Sequence, residues 1–309
     1  MKLACVGILA AIVGAGCCSV RQAANPTYAC SHVHRGGGDS ERPDNTLKTF
    51  VWAWQHGAGV ECDCRLTKDG VAIMLHDNTL QRTARNAPKE LTSQAVSALT
   101  YEQIAEVDVG SYISPKFAAE RVPTLEAVLK EMAKYPDARL YVDDKGVGPK
   151  RLAEAARKFG VLERVWYTHC DLSKLKAWRQ EVPNGKTRLW WGPGTQNFGN
   201  RAFGQERMEK KMDELRKCNF ADVTLVCFDV HYNDRFDDPF LPSTEYLKTI
   251  GEECHRHGVL FTCFPYSGGN QMQSYLKLAR QIGCDGFCTD RPCVLFEALD
   301  ELRNYAPRR

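Results

Sequence analysis

"VECDCRLTKDGVAIMLHD", Val60 to Asp77, holds two strand-like runs separated by only four residues. Val60–Leu66 and Val71–Leu75 are rich in β-branched and apolar side chains, and Thr67-Lys68-Asp69-Gly70 lies between them. A parallel crossover needs a dozen or more residues, whereas Asp-Gly is favoured hairpin chemistry. The second run therefore folds back antiparallel on the first.

That reading sets the strand count for the whole chain. Further strand-like runs lie at Tyr28–Val33, Arg139–Val142, Val165–Thr168, Thr187–Trp191, Val223–Val230, Val259–Phe264 and Gly286–Thr289. Between them fall amphipathic stretches such as "NTLKTFVWAWQHGA", "PTLEAVLKEMAKY" and "STEYLKTIGEECHRHG", with helix-capping residues at their starts and Gly near their ends. With the hairpin arm set aside, eight strands alternate with helices over roughly 270 residues, which predicts an α/β TIM (β/α)8 barrel spanning 28–300. A doubly wound open sheet is the competing architecture. The chain has no GxGxxG, and its Gly36-Gly37-Gly38 is not followed by the Lys-Ser/Thr of a P-loop. Asp77 to Val122 fits no strand–helix unit and reads as a small helical and loop insertion after the hairpin of the second strand.

The 309 residues are 43% hydrophobic, with a formal charge of +3 and no dense Lys/Arg stripe. Composition thus supports a full globular core and gives no sign of a nucleic-acid partner. Lys2 followed by "LACVGILAAIVGAG" has the pattern of a signal peptide over 1–17, too short for a comfortable membrane span. "GAGC" resembles a bacterial lipobox. It implies an exported, periplasmic or cell-envelope lipoprotein attached to the membrane through a lipid on Cys17. Of 14 cysteines, eleven follow Cys18 at irregular spacings and none forms a CxxC pair. They read mostly as small buried hydrophobes, with room for one or two disulfides.

In a TIM barrel, chemistry belongs at the C-terminal strand ends. The first strand ends in His34-Arg35, the hairpin arm in His76-Asp77, and another strand in Asp143-Asp144-Lys145. Side chains at i and i+2 share a face, so Glu61 and Asp63 point together while Cys62 and Cys64 turn towards the helices. Two carboxylates inside a barrel repel each other and lose solvation unless neutralised, and a hard divalent cation is the simplest partner. Asp143 would complete the ligand set. A cation, Arg35, Lys145 and two histidines on one face suit phosphodiester chemistry. Positive groups stabilise phosphoryl charge, and the imidazoles exchange protons near neutrality. Gly36–Gly38 would let the backbone approach a substrate closely. Trp190–Gly199 and His231 are candidates for the pocket wall; His169, His255 and His257 read as surface or structural residues, and Trp52 and Trp54 as packing.

"HRGG…RPDNT", "GVECDCRLTKDGVAIMLHDNTLQRT", "VPTLEAVL" and "CDGFCTDRP" resemble the signatures of the glycerophosphodiester phosphodiesterase family, from about Ala29 to Phe296. The resemblance implies a TIM barrel with an inserted segment that hydrolyses small-molecule glycerophosphodiesters to glycerol 3-phosphate and an alcohol. It implies one divalent cation, Mg²⁺ or Ca²⁺, held by Glu61, Asp63 and Asp143. His34 and His76 would be the acid/base pair, and Arg35 and Lys145 the phosphate contacts. Three departures stand out. The family's E-I-K becomes Asp143-Asp144-Lys145, leaving open which aspartate is the third ligand; PENT becomes PDNT at Asp44; and W-T-V-N becomes Phe261-Thr262-Cys263-Phe264. Two other readings remain open at this stage: a phospholipase-type lyase forming a cyclic phosphate, and a non-catalytic surface protein that binds phosphodiesters.

Overall fold

The computed structural model describes residues 28–38 and 41–304; the expected signal peptide and Cys17 lie outside them. Ten strands follow in order: β1 (His32–Val33), β2 (Gly59–Leu66), β3 (Ala72–Met74), β4 (Leu140–Asp144), β5 (Val165–His169), β6 (Lys186–Trp191), β7 (Leu225–Tyr232), β8 (Phe240–Leu241), β9 (Leu260–Ser267) and β10 (Gly286–Thr289). Eight of them, all but β3 and β8, pair in parallel in chain order. β1 closes the ring by pairing with both β2 and β10. The fold is a TIM barrel, with helices in the connections.

Period-two alternation divides the core into two layers. Cys62 and Cys64 face outward and join Phe50, Val128 and Leu152 in the apolar layer between strands and helices. Tyr141, Trp166, Leu225, Cys227, Phe264 and Cys288 fill the inside of the ring. The hairpin forms as its chemistry requires. β3 pairs antiparallel with β2, Cys64 opposite Met74. Gly70 takes the left-handed conformation at φ 75° that the tight turn needs. All eleven described cysteines are free, most of them buried, so no disulfide forms among the described residues.

The insertion builds a core of its own from Leu75, Leu80, Val96, Leu99, Ile104 and Val122, shared with Ile73 of β3. Short helices α2 (Lys89–Thr92) and α3 (Tyr101–Ile104) sit in it, after α1 (Leu47–Gln55) in the chain. Thr100 and Gln103 cap α3 reciprocally, and Asp69 of the hairpin turn accepts the Tyr101 N–H at 3.1 Å. The insertion is thereby fastened to the barrel rim rather than hung from it.

Two boundaries differ from expectation. The first strand shrinks to two residues because the Ser31 N–H turns back to the Tyr28 carbonyl at 3.0 Å, leaving a chain that enters the ring abruptly. β7 instead extends to Tyr232, because β9 pairs with it along eight register positions. The two strands together rise past the rim, and the short β8 adds to β7 there.

Candidate active site

Glu61, Asp63 and Asp143 offer carboxylate oxygens that all lie within 4.8 Å of one another, and all three residues are buried. Pairing of Asp63 with Asp143 across β2 and β4 brings the two strands' acids level. The shorter arm of Asp143 therefore still reaches the group. Asp144 does not: its carboxylate faces the helical layer. There it accepts the N–H groups of Gly146, Val147 and Gly148 and the Tyr167 hydroxyl at 2.8 Å. Alternation along β4 thus brings Asp143, and not Asp144, beside Glu61 and Asp63.

Neighbouring groups orient the acids. Glu61 Oε2 accepts the Arg35 N–H at 3.0 Å, and Asp63 Oδ2 accepts Asn45 Nδ2 at 3.1 Å. Burial, reinforced by the charge on Asp63, pushes Glu61 up to about 7. Three carboxylates so placed repel one another, and Lys145 beside Asp143 and Asp63 offsets only part of their charge. Oxygen-only donors, buried and fixed by outer hydrogen bonds, fit a hard divalent ion.

The two histidines stand on either side, each with its own carboxylate. His34 lies in the turn after β1, where Arg35 adopts φ 50°. Its Nδ1 shares a hydrogen bond with Asp290 at 2.7 Å, and Phe264 packs edge-on to its ring at 5.0 Å. Burial opposes the positive charge on His34, but Asp290 and Glu61 outweigh it and raise the imidazole to about 8. His76 Nδ1 pairs with Asp77 at 2.7 Å, and Arg82 holds the other oxygen of Asp77 at 2.6 Å. Arg65 fixes the backbone beneath by donating twice to the His76 carbonyl, at 2.9 and 2.6 Å.

The glycine run has a packing role. Gly38, at φ 64°, lies so close to the Asp290 backbone that a Cβ would strike its carbonyl. The missing side chain lets the first strand's turn meet the last strand's end.

Arg35 and Lys145 are both at the site, held among acids. Lys145 Nζ lies 2.6 Å from Asp143 and 3.4 Å from Asp63. The Arg35 guanidinium lies 3.8 Å from Asp63 and 3.6 Å from Asp44. Asp44 is also bound by Arg82 at 2.7 Å and by the Tyr112 hydroxyl of the insertion. All seven residues expected from the sequence line one cavity: His34, Arg35, Glu61, Asp63, His76, Asp143 and Lys145.

The same cavity is lined by Arg188, Trp190, Asp229, Phe264 and Tyr266. Arg188 and Asp229 were not foreseen. Arg188 shares a face with Trp190 by the i, i+2 rule, so an inward Trp190 carries the buried arginine with it. Trp191 turns outward, its indole N–H reaching the Arg207 carbonyl at 3.3 Å. Asp229 is pushed up to about 7, by burial first and then by Cys227. Asp290 was quoted only as part of a motif, yet it is the partner of His34. His231 lines an adjoining cleft with Tyr266, Phe198 and Asp290. Of the histidines assigned to structure, His255 binds Asp285 at 2.8 Å and His257 stacks on Phe220. Trp54 is buried, and Trp52 packs under the Arg42 guanidinium at 4.2 Å.

The pairing of His34 with Asp290 has a measurable consequence. If His34 acts as an acid, a rate that needs its imidazolium falls as pH rises through about 8. In Asp290→Asn the stabilising carboxylate is gone, so the imidazolium deprotonates more readily. The alkaline limb of kcat/KM is expected to move about one unit or more to lower pH.

A closed parallel barrel with buried acids, two carboxylate-backed histidines and two cations at its C-terminal rim defines a class: barrels equipped to hold a divalent ion and a phosphoryl group. The profile of the glycerophosphoryl diester phosphodiesterase family matches residues 34–294, and the chain belongs to that family. Among curated relatives, a glycerophosphodiester phosphodiesterase of Caldanaerobacter subterraneus subsp. tengcongensis is 32% identical over 171 residues, 52% of this chain and 66% of that protein. Human glycerophosphodiester phosphodiesterase 1 is 31% identical over 46% of this chain and 41% of its own length. The matches thus span less than two thirds of these relatives. A solved phosphodiesterase from Oleispira antarctica, in complex with the product sn-glycerol-3-phosphate, superposes with a TM-score of 0.60 at 18% identity, covering 87% of this chain and 96% of that one. A glycerophosphoryl diester phosphodiesterase structure from Parabacteroides distasonis gives 0.65 at 22% identity, covering 90% and 89%.

Proposed function

We propose that this protein hydrolyses glycerophosphodiesters to glycerol 3-phosphate and an alcohol, with one divalent cation, Mg²⁺ or Ca²⁺, and His34 and His76 as acid and base. The observation that carries the reading is the convergence of Glu61, Asp63, Asp143, His34 and His76 on one cavity. Family membership and the product bound to the Oleispira antarctica relative point the same way.

The chain's own residues divide the work as follows. Glu61, Asp63 and Asp143 would hold the ion, which when bound neutralises phosphoryl charge and orients the diester. Arg35 and Lys145 add fixed positive charge beside the phosphoryl oxygens. His34, kept protonated to about pH 8 by Asp290 and Glu61 against the pull of burial, supplies a proton to the departing alkoxide. His76, held by Asp77, takes the proton from the attacking water. The leaving alcohol would occupy the adjoining cleft beside His231 and Tyr266. The amino-terminal pattern supports placing this chemistry outside the cytoplasm.

The test is release of glycerol 3-phosphate from glycerophosphocholine and related diesters, with Mg²⁺ or Ca²⁺, followed by phosphorus NMR. The expected product is the linear monoester from the first time point. Accumulation of a cyclic phosphate would replace hydrolysis by the lyase reaction. Binding without turnover across a broad diester panel would leave only a recognition role.

A further inference from the structure

We propose that His32, Cys227 and Cys288 form a second metal site, for a soft monovalent cation of the copper(I) type, inside the barrel directly beneath the catalytic rim. Their ligand atoms all lie within 4.8 Å of one another, and all three residues are fully buried. Each stands two positions below a residue of the site above it: His32 below His34, Cys227 below Asp229, Cys288 below Asp290. The trio is therefore one inward-facing layer, about 6.6 Å deeper than the rim.

The imidazole is set as a ligand needs to be. His32 Nδ1 shares a hydrogen bond with the Cys30 carbonyl at 2.9 Å, so this nitrogen carries the proton. The ring stacks on Tyr141 at 4.3 Å, which fixes its plane. Nε2 is buried, and the side chain that faces the imidazole is Cys227. A backbone-anchored Nδ1–H with Nε2 turned to the other ligands is how proteins orient metal-binding histidines.

The thiols are equally suited. Both sulfurs are fully buried and lie within 4.8 Å of each other and of the imidazole, on inward-facing strand positions. Binding an ion would displace the thiol protons to solvent and leave two thiolates and a neutral imidazole. Around a shared ion, such donors stand about 3.5–4 Å apart, so a contraction of roughly an ångström closes the site.

Ligand number and softness select the ion. The group supplies three donors, whereas zinc sites are completed by a fourth. Soft sulfur ligands favour copper(I).

The experiment uses the reduced full chain and two probes: Ag⁺, a redox-inert stand-in, and Cu⁺ delivered anaerobically against a competing chelator. Crystals grown with one equivalent of Ag⁺ should show a single anomalous peak between His32, Cys227 and Cys288. X-ray absorption of the Cu⁺ form should show two sulfurs and one nitrogen. Cu⁺ affinity should drop at least about 100-fold in Cys227→Ser/Cys288→Ser, more than loss of an outer-shell partner causes, while Cys218→Ser/Cys293→Ser, which removes exposed thiols, leaves it unchanged. Silver found only at exposed cysteines, tighter retention of Zn²⁺ than of Cu⁺, or a Cys227–Cys288 disulfide in wild-type protein would each overturn the proposal. The crystallographic test stands even if the serine variants fail to fold.

Discussion

His34→Ala is expected to lower kcat/KM for glycerophosphodiesters by about 100- to 10,000-fold, the usual scale for loss of a general acid. The alkoxide then departs with water as its only proton source, while Asp290 and Glu61 remain as carboxylates without the imidazolium they flank at 2.7 and 3.9 Å. Divalent-ion binding should survive, because the three acids are untouched. Calorimetric titration with Mg²⁺ or Ca²⁺ beside the rate measurement separates the two effects. Loss of ion binding together with rate would mean that the imidazole supports the acids instead of donating a proton. A fall of less than tenfold would remove His34 from the chemistry. His34→Gln, which keeps a polar group facing Asp290, should be as inactive as the alanine variant.

Glu61→Gln should be comparably damaging, by a different route. The amide keeps the shape of the side chain and its oxygen, but removes one of three charges facing the ion. Turnover is expected to fall at least about 100-fold, and the concentration of divalent ion needed for half activity to rise. Stability separates this from general damage. Without metal, burial and Asp63 push Glu61 up to about 7, so the wild-type acids disfavour one another. Removing one should leave the metal-free Tm unchanged or higher. With metal, the wild type gains stability through binding linkage, and the variant should lose most of that gain. A metal-free Tm several degrees lower, with metal stabilisation intact, would point to a structural Glu61 and another seat for the ion.

Much of the site was legible because strands obey a two-residue period. Glu61 and Asp63 on one face, with Cys62 and Cys64 on the other, follow from alternation alone, and the hairpin at Thr67–Gly70 reduced nine strand-like runs to the eight of a barrel. What escaped was of two kinds. Arg188, Asp229 and His32 obey the same alternation, but each sits in a run whose apolar neighbours read as ordinary core. Nothing local marks a strand's inward charged residue until the ring is closed. Asp290 and Tyr112 act across 256 and 68 residues of chain, on His34 and Asp44 respectively. Such pairings come from tertiary closure, which no window of sequence contains. The choice between Asp143 and Asp144 needed only the phase of β4, and that phase was set by its register with β2.

The meeting of Gly38 with Asp290 has a bearing on how the protein is made. The segment bearing His34 leaves the ribosome early, and its carboxylate partner follows some 250 residues later. A nascent chain carries all three acids and both imidazoles long before anything seals the ring or polarises the first of them. Competence therefore arrives late in synthesis and all at once. Incomplete translation products, or chains clipped ahead of the final strand, should be catalytically silent while retaining every acid that would hold the ion.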